Sequence, residues 1–164
     1  MMAKMMKIAI RFMSAEDKSR ITEILRGTPE FKPFEVAVAE ELIECYLENP
    51  FSSGYHIQVA EVDSTVVGYI CYGPTPLTEG TWDIYWVAVT RERQGQGTGS
   101  ALMKSAEKEI VKAKGRLSII ETSSTPAYEK TRHFHISQGY EIIARIPDFY
   151  APGDDKLILQ KLLR

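Results

Sequence analysis

The chain has 164 residues, of which 44% are hydrophobic and 26% are charged, and this composition is ordinary for one globular domain with a sizeable core. The formal net charge of −2 gives no electrostatic reason to expect nucleic acid or an anionic membrane as the main partner. No apolar run approaches the ~20 residues of a membrane-spanning helix, and the apolar stretch before Arg11 is too short for a signal peptide. We therefore expect a single domain over residues 1–164, located in the cytoplasm.

In the first half of the chain, apolar periodicity predicts a strand, two helices and a pair of strands. Ser14 is placed to cap the first helix, with an acid at the third helical position. Asp63-Ser64 joins the two later strands as a hairpin. The apolar face of the second helix is assigned to Val38, Leu42, Cys45 and Tyr46. The predicted strands are 7–13, 55–62 and 65–72, and the helices run from Ser14 to before Gly27 and from Glu35 to Glu48.

The second half begins with a strand that leads into a glycine-rich loop and a long amphipathic helix. Gly115 follows that helix at the position of a left-handed cap residue. Thr125-Pro126 opens a last helix through an N-cap and a proline at the first helical position. Residues 147–155, with two aromatics and three acids, are predicted to form a loop. The predicted strands are 81–89, 117–121, 140–146 and 156–163, and the helices are 98–114 and 125–138.

The element order is therefore β-α-α-β-β-β-α-β-α-β-β. The two strands that flank the third helix should be parallel and joined by a right-handed crossover, whereas the hairpins make the other pairs antiparallel. We predict an α/β (α+β) fold with a mixed, mostly antiparallel central sheet of about seven strands, flanked by about four helices. The two cysteines, Cys45 and Cys71, both lie in periodic apolar segments. We expect them to be buried free thiols, and we predict no metal site.

The glycine-rich loop is the strongest functional motif. Gly95, Gly97 and Gly99 alternate with other residues just before a helix, so an anion could approach the backbone N–H groups and the helix N-terminus closely. The alternative is a tight turn that uses glycine only for its geometry. No lysine follows the glycines as in a P-loop, and the GxGxG spacing differs from the dinucleotide-binding GxGxxG.

A different pattern fits this stretch position by position. Val87 and Val89 end the strand, and Gln94, Gly97 and Gly99 follow in the order Q/R-x-x-G-x-G/A. This is the acetyl-CoA motif of the GCN5-related N-acetyltransferases, and the sequence resembles that family from about Lys7 to Leu163. The resemblance implies the acyl-CoA N-acyltransferase fold, with acetyl-CoA as cofactor and coenzyme A as product.

The resemblance also implies where the cofactor lies. The pantetheine arm would pair with the end of the 81–89 strand, and the pyrophosphate would meet the amides of the loop. The cofactor-binding residues assigned in this way are Val87, Ala88, Val89, Gln94, Gly95, Gln96, Gly97, Thr98, Gly99 and Ser100.

Two carboxylates are candidates for removing the proton of the acceptor amine. Asp83 lies on the same strand face as Tyr85, and branches of the family place a Glu or His at these two positions. Asp83 could act through water, or it could be only a solvated edge carboxylate. Glu121 ends an apolar strand, where ligands of open sheets gather. Its partner could be substrate, or the hydroxyls of residues 122–124.

The general acid has two candidates. The family often carries a helix motif like FYxxxGF, and here Phe134, Gly139 and Tyr140 match it, but His135 stands in place of the tyrosine. A histidine with an ordinary pKa near ~6.5 could protonate the leaving thiolate. Tyr128, seven residues earlier on the predicted helix, could supply a hydroxyl instead. Alternatively, His135 is only a packed helix residue.

By resemblance, residues 28–34 and 147–155 shape the acceptor pocket, and we predict that Tyr85, Phe31 and Phe149 line it. Aromatics with several acids suit a cationic amine that has an apolar body. The predicted function is an acetyl-CoA-dependent N-acetyltransferase that acts on a primary amine of a small molecule or peptide by direct attack. The competing functions are a catalytically silent acyl-CoA sensor or interaction module on the same fold and, less favoured, a nucleotide-binding Rossmann domain. A homodimer is left open.

Overall fold

The computed structural model describes residues 7–163, which contain seven strands and four α-helices in the predicted order. Short 3-10 turns precede α1 and α4 and follow β4. Within residues 7–163, none of the helices combines the length and the apolar composition that a bilayer crossing requires. The strands are β1 (Ile8–Phe12), β2 (His56–Val62), β3 (Thr65–Pro74), β4 (Thr81–Val89), β5 (Leu117–Ser123), β6 (Glu141–Ala151) and β7 (Asp154–Leu162), and the helices are α1 (Lys18–Arg26), α2 (Pro33–Glu48), α3 (Thr98–Lys112) and α4 (Glu129–Ser137).

The strands form one mixed sheet in the order β1-β2-β3-β4-β5-β7-β6. Strands β4 and β5 are parallel, as the intervening α3 predicts, whereas β1–β2, β5–β7 and β6–β7 are antiparallel. The predicted fold class is therefore confirmed. Among the described residues, 7–71 with 86–106 form one compact unit and 72–85 with 107–163 form another. The single domain over 1–164 stays a prediction.

The first unit is built around the apolar faces of α1 and α2. Ile21, Ile24 and Leu25 are buried on α1, as their spacing predicts. On α2 the predicted face is correct at Tyr46, which is buried, and at Leu42, which packs against the core. It is wrong at Val38 and Cys45, which are exposed, so of the two expected buried thiols only Cys71 is buried. The helix is apolar around most of its circumference, so spacing alone does not select the buried stripe. The buried α2 residues are Val36, Ala39, Ile43 and Tyr46.

A charged cluster fixes the start of this unit. The Arg11 guanidinium donates to Asp17 at 2.7 and 2.8 Å and to Glu61 at 2.7 and 2.9 Å, which ties β1 to β2 and to the turn before α1. Asp17 also accepts from the Ser14 N–H at 2.8 Å, as a capping box does. The hydrogen bond from Arg11 lowers the pKa of Asp17 the most, and the hydrogen bond from the Ser14 N–H lowers it further. The carboxylate is therefore held in its charged form.

The helix-to-strand connection in the second unit uses glycine differently from the prediction. Helix α3 ends at Lys112, and the left-handed position is taken by Lys114, with φ of 64°. Gly115 follows it, and its N–H donates to the Ile110 carbonyl at 2.8 Å. A Cβ on Gly115 would overlap Ile110 Cγ2 and lie 2.8 Å from the Trp82 ring. Close packing, not backbone conformation, is what requires glycine here.

Gly115→Ala is expected to lower the free energy of unfolding by about 2 kcal/mol, because a well-packed core accommodates an added methyl group only through strain. Denaturant unfolding measures this loss. Gly27→Ala is the comparison, with a smaller expected loss, since a Cβ there would be tight against the Glu23 carbonyl oxygen at 3.2 Å but would overlap no atom, in an ordinary helical conformation with φ of −83°. Equal stability losses in the two variants would contradict the packing explanation.

The predicted loop over 147–155 is mostly strand. Strand β6 continues to Ala151 and β7 begins at Asp154, so only a tight turn separates them. The Asp155 carboxylate accepts from Arg145 at 2.5 Å and from the Asp148 N–H at 2.8 Å. These side-chain contacts hold a hairpin in a segment whose sequence lacks strand periodicity. The loop prediction was therefore wrong.

Candidate active site

The glycine loop connects β4 to α3 within the first unit. The Thr90 N–H donates to the Val67 carbonyl at 2.8 Å and anchors the end of β4. A 3-10 turn, Arg91–Arg93, follows, and α3 begins at Thr98, as predicted. The first N–H groups of a helix lack intrahelical partners and carry its positive dipole end. The predicted arrangement of strand, loop and helix N-terminus is therefore present.

The conformation of the loop explains two of its glycines. Gly95 and Gly97 have φ of 74° and 89°, a region that other L-residues rarely adopt. A Cβ on either glycine would meet no atom within 4 Å. The space beside the backbone is therefore open, and an anion could reach the amides. Gly99 lies inside α3.

Two glutamines of the loop make contacts with its own backbone. The Gln94 side-chain amide donates to the Val89 carbonyl at 3.2 Å, and the Gln96 amide donates to the Glu92 carbonyl at 3.2 Å. These bonds tie the loop to the end of β4 and to the 3-10 turn. The two side chains therefore stabilise the loop conformation, and the loop N–H groups are the atoms that could bind a ligand.

Strand β4 has the predicted alternation of faces. Trp82, Ile84 and Ala88 are buried, whereas Asp83 is half-buried and Tyr85 is exposed. The ladder between β4 and β5 runs from Thr81–Leu117 to Ile84–Ile120. The backbone of residues 85–89 extends beyond that ladder.

The Asp83 carboxylate is oriented by one described neighbour. The Thr75 hydroxyl donates to Asp83 Oδ2 at 2.7 Å, and the Thr75 N–H donates to the Thr81 carbonyl at 2.8 Å. Thr75 follows β3 in the chain, so the end of that strand positions the acid. The sequence had not indicated Thr75, because threonine in a Gly-Pro-rich connection has no distinctive pattern.

Glu121 has a partner that the sequence did not predict. Its carboxylate accepts from Lys156 Nζ at 2.8 Å, and the Lys156 side chain is only 13% exposed. The same ammonium lies 4.0 Å from the centroid of the Phe149 ring. Two of the hydroxyls of 122–124 are engaged elsewhere, because Ser123 donates to Asp154 at 2.5 Å and the Ser124 oxygen accepts from the Asp155 N–H at 2.9 Å. The antiparallel β5–β7 register, which sets Glu121 opposite Ile158, brings Lys156 within reach.

His135 is buried, with 4% of its surface exposed. Its ring lies beside those of Phe134 and Tyr140, with centroids at 5.2 and 6.1 Å, and its Nδ1 has no hydrogen-bond partner. Burial lowers the pKa of His135 to about 4. The ordinary pKa assumed for the proposed role of His135 therefore does not hold. With a pKa of about 4, the imidazole is neutral at pH 7. A neutral imidazole is a weak proton donor to a thiolate.

Tyr128 lies in a 3-10 turn, Pro126–Tyr128, and α4 begins only at Glu129. The single helix predicted over 125–138 is therefore divided, and Tyr128 is not two regular helical turns from His135. Thr125 occupies the N-cap position and Pro126 the start of the 3-10 turn, the places predicted for a helix start, but the Thr125 side chain makes no capping hydrogen bond. Arg132 donates to the carbonyls of Ser123 and Thr125 at 2.9 and 2.7 Å, which fixes the connection in front of Tyr128.

The three predicted acceptor-binding aromatics are distributed over both units. Phe31 packs edge-on against Trp86, with centroids 5.3 Å apart, beside a cavity of about 370 Å³ in the first unit. In the second unit, Tyr85 is 38% exposed and Phe149 is 49% exposed. Phe149 packs edge-on against Tyr150 at 5.0 Å. All three stay predictions as substrate contacts. The described residues contain no group of three or more His, Cys, Asp and Glu side chains placed to hold a metal ion.

The burial of His135 predicts a pH-dependent loss of stability. A histidine whose folded pKa is about 4 and whose unfolded pKa is about 6.5 stabilises the fold fully above the unfolded value and loses that contribution as pH falls through the folded value. His135→Phe is therefore expected to flatten the decline in unfolding free energy between about pH 6.5 and 4. Urea unfolding across this range measures it, with the exposed His133→Gln as control. An unchanged slope in His135→Phe would contradict this prediction.

Comparison with known proteins places these features in a family. Residues 18–140 match the Acetyltransferase (GNAT) family, and because this match spans more than half of the chain, the protein belongs to that family. A GNAT-family structure from Desulfovibrio desulfuricans is 37% identical, with a TM-score of 0.93 over 96% of this chain and 100% of that one.

Two further relatives are more distant. An uncharacterized N-acetyltransferase from Methanocaldococcus jannaschii is 31% identical over 63% of this chain and 64% of its own length. This chain therefore matches somewhat less than two thirds of that relative. An acetyltransferase structure from Salmonella typhimurium with its cofactor acetyl-CoA has a TM-score of 0.73 at 22% identity, over 96% of this chain and 94% of that one. At that identity, the likeness shows the fold alone.

Proposed function

We propose that this protein is an acetyl-CoA-dependent N-acetyltransferase that transfers an acetyl group to a primary amine by direct attack. The observation that carries the proposal is the glycine loop at the start of α3. Gly95 and Gly97 adopt left-handed conformations beside open space, and a helix N-terminus follows directly. Backbone N–H groups at such a terminus suit a pyrophosphate.

The residues present fit coenzyme A. The amides of residues 94–100 would hold the pyrophosphate, because a Cβ at Gly95 or Gly97 would occupy the space that the phosphate oxygens need. The backbone of Val87, Ala88 and Val89 would pair with the pantetheine arm, since this part of β4 continues beyond the ladder with β5. When bound, acetyl-CoA supplies the activated acetyl thioester.

Asp83 is the proposed general base. A protonated amine has a pKa near ~10, so the acceptor must lose a proton before it attacks. The Asp83 carboxylate, oriented by Thr75, would take that proton directly or through water. Glu121 is the second candidate, although its negative charge is already paired with the Lys156 ammonium. In the balanced reaction, the new N–C bond replaces the C–S bond.

Tyr128 is the proposed proton donor to the leaving thiolate. His135 occupies the position that the family motif gives to tyrosine, but its buried ring is neutral at pH 7 because its pKa is lowered to about 4. Tyr128 is half-buried at the end of a 3-10 turn. A phenol has an ordinary pKa of about 10 and therefore carries its proton at neutral pH.

We propose a cationic amine with an apolar body as the acceptor, either a small molecule or a peptide amine, met in the cytoplasm. Exposed Tyr85 and the edge-on pair of Phe31 with Trp86 support this class, since aromatic faces attract cations. Phe149 lends less support, because the Lys156 ammonium already lies over its ring. The second candidate function is a catalytically silent acyl-CoA sensor, and the specific observation in its favour is the buried His135.

One pair of measurements tests the proposal. Coenzyme A at saturating concentration is expected to raise the melting temperature, because a ligand that binds only the folded state stabilises it. Thiol release from acetyl-CoA is then followed with a library of primary amines. Release with at least one amine supports the enzyme. A thermal shift without release with any amine would favour the sensor, and no thermal shift would overturn both functions.

A further inference from the structure

A lysine of the protein itself occupies a cation site on the sheet of the second unit. Lys156 Nζ lies 2.8 Å from the Glu121 carboxylate and 4.0 Å from the centroid of the Phe149 ring. A carboxylate beside the face of an aromatic ring is an environment that attracts an ammonium group. The Lys156 side chain is only 13% exposed, so its ammonium is held at this place and is not a freely solvated surface charge.

The strand register places this site on the sheet face that carries the proposed base. Lys156 is opposite Ser123, which shares a face with Glu121 because the two are two residues apart on β5. Asp83 is opposite Ile119, and Ile119 lies two residues before Glu121. The side chains of Asp83, Glu121 and Lys156 therefore belong to one face of the sheet.

The two carboxylates of this face are not compensated in the same way. Lys156 neutralises Glu121, whereas Asp83 is oriented by a neutral donor, the Thr75 hydroxyl. One strand spacing and a rise of two residues separate the Cα atoms of Asp83 and Glu121, which is roughly 8 Å. A short alkyl diamine with one ammonium at Asp83 would therefore bring its other ammonium beside Lys156. Like charges at such a distance repel, and a repulsive group of this kind is a usual source of specificity.

We propose that Lys156 is a specificity-determining residue, which restricts the acceptor to a primary amine with a single positive charge and excludes diamines. This inference rests on the proposed acetyl transfer, because it concerns the acceptor of that reaction. Removal of the Lys156 ammonium would leave the Glu121 carboxylate and the Phe149 ring to the second ammonium of a diamine. The selectivity should then change from exclusion of diamines to preference for them.

Straight-chain monoamines and diamines of equal length, from three to eight carbon atoms, test this specificity with the full chain. The quantity measured is the ratio of kcat/KM for a diamine to that for the monoamine of the same length, obtained from thiol release. Lys156→Met removes the ammonium, and we expect the ratio to rise at least about tenfold at the best length. Lys156→Gln serves as a second neutral variant. Lys156→Arg keeps the charge and should keep the ratio of the wild type.

Two further variants separate the cation site from general effects. Lys112→Met removes the same charge from α3, where Lys112 pairs with Glu109 at 3.2 Å, and is expected to leave the ratio unchanged. Lys156→Met/Glu121→Gln also lacks the carboxylate, so the gain in the ratio should be lost. A contribution of Glu121 to proton removal would affect both amines alike, and it therefore cancels in the ratio. Circular dichroism and the melting temperature verify that each variant folds.

A binding measurement that needs no catalysis distinguishes the two possible failures. Isothermal titration of cadaverine, the five-carbon diamine, into the complex with coenzyme A should show binding at least about tenfold tighter for Lys156→Met than for the wild type. Thiol release with an unchanged ratio and unchanged binding in Lys156→Met would overturn the specificity role and leave the transfer reaction intact. Tighter binding without thiol release from any amine would support the cation site and overturn the transfer reaction. Neither release nor a change in binding would overturn both.

Discussion

Gly97→Val is expected to weaken coenzyme A binding by at least about 100-fold, or about 2.7 kcal/mol. The φ of Gly97 is 89°, and a β-branched side chain would project into the open space where we place the pyrophosphate. The loop amides would then be screened from the phosphate oxygens. Isothermal titration with coenzyme A measures the loss, together with the KM for acetyl-CoA.

A matched control separates a local effect on binding from general destabilisation by a strained backbone. Gly54 has φ of 81° and, like Gly97, a Cβ there would meet nothing within 4 Å. It lies in a loop before β2 that has no proposed contact with ligand. Gly54→Val should therefore share the loss of stability, of about 1–2 kcal/mol, but retain coenzyme A binding. Equal binding losses in the two variants would contradict the prediction, because general destabilisation would then account for the loss at Gly97.

Asp83→Asn is expected to lower kcat about 100-fold, the usual contribution of a general base. The asparagine carbonyl can still accept from Thr75, so the local geometry should survive while the proton acceptor is lost. The KM for acetyl-CoA should stay unchanged, because the cofactor is assigned to the loop and to the end of β4. Thiol release with the best amine of the library measures both constants.

Two further variants identify the base. Thr75→Val removes only the hydroxyl that orients Asp83, and we expect a kcat reduction of about tenfold or less. Glu121→Gln removes the partner of Lys156 and is expected to change kcat less than Asp83→Asn does. A reversed order, with Glu121→Gln the more severe, would transfer the role of base to Glu121.

The element order and the glycine loop could be predicted because their determinants are local. Alternation fixed the faces of β4, and glycines before an amphipathic helix marked the start of α3 at Thr98. The parallel pairing of β4 with β5 followed from the helix between them. Local patterns of this kind do not depend on the rest of the chain.

The errors arose where specific side-chain contacts, and not the local apolar pattern, decide the structure. The Lys156–Glu121 pair depends on the β5–β7 register, and the hairpin over 147–155 depends on Asp155 bonding to earlier residues. The burial of His135 follows from packing against Tyr140, which the motif comparison did not reveal. On α2, several apolar stripes were available, and only the tertiary structure selects one.

The hydrogen bonds that two glutamines make within the glycine loop have an entropic consequence for cofactor binding. Gln94 and Gln96 donate to the backbone carbonyls of Val89 and Glu92, so hydrogen bonds within the protein help to hold the loop in its conformation. Preorganisation of this kind lowers the ordering cost of association. We expect coenzyme A to be captured by a nearly rigid receptor, with little backbone rearrangement on binding.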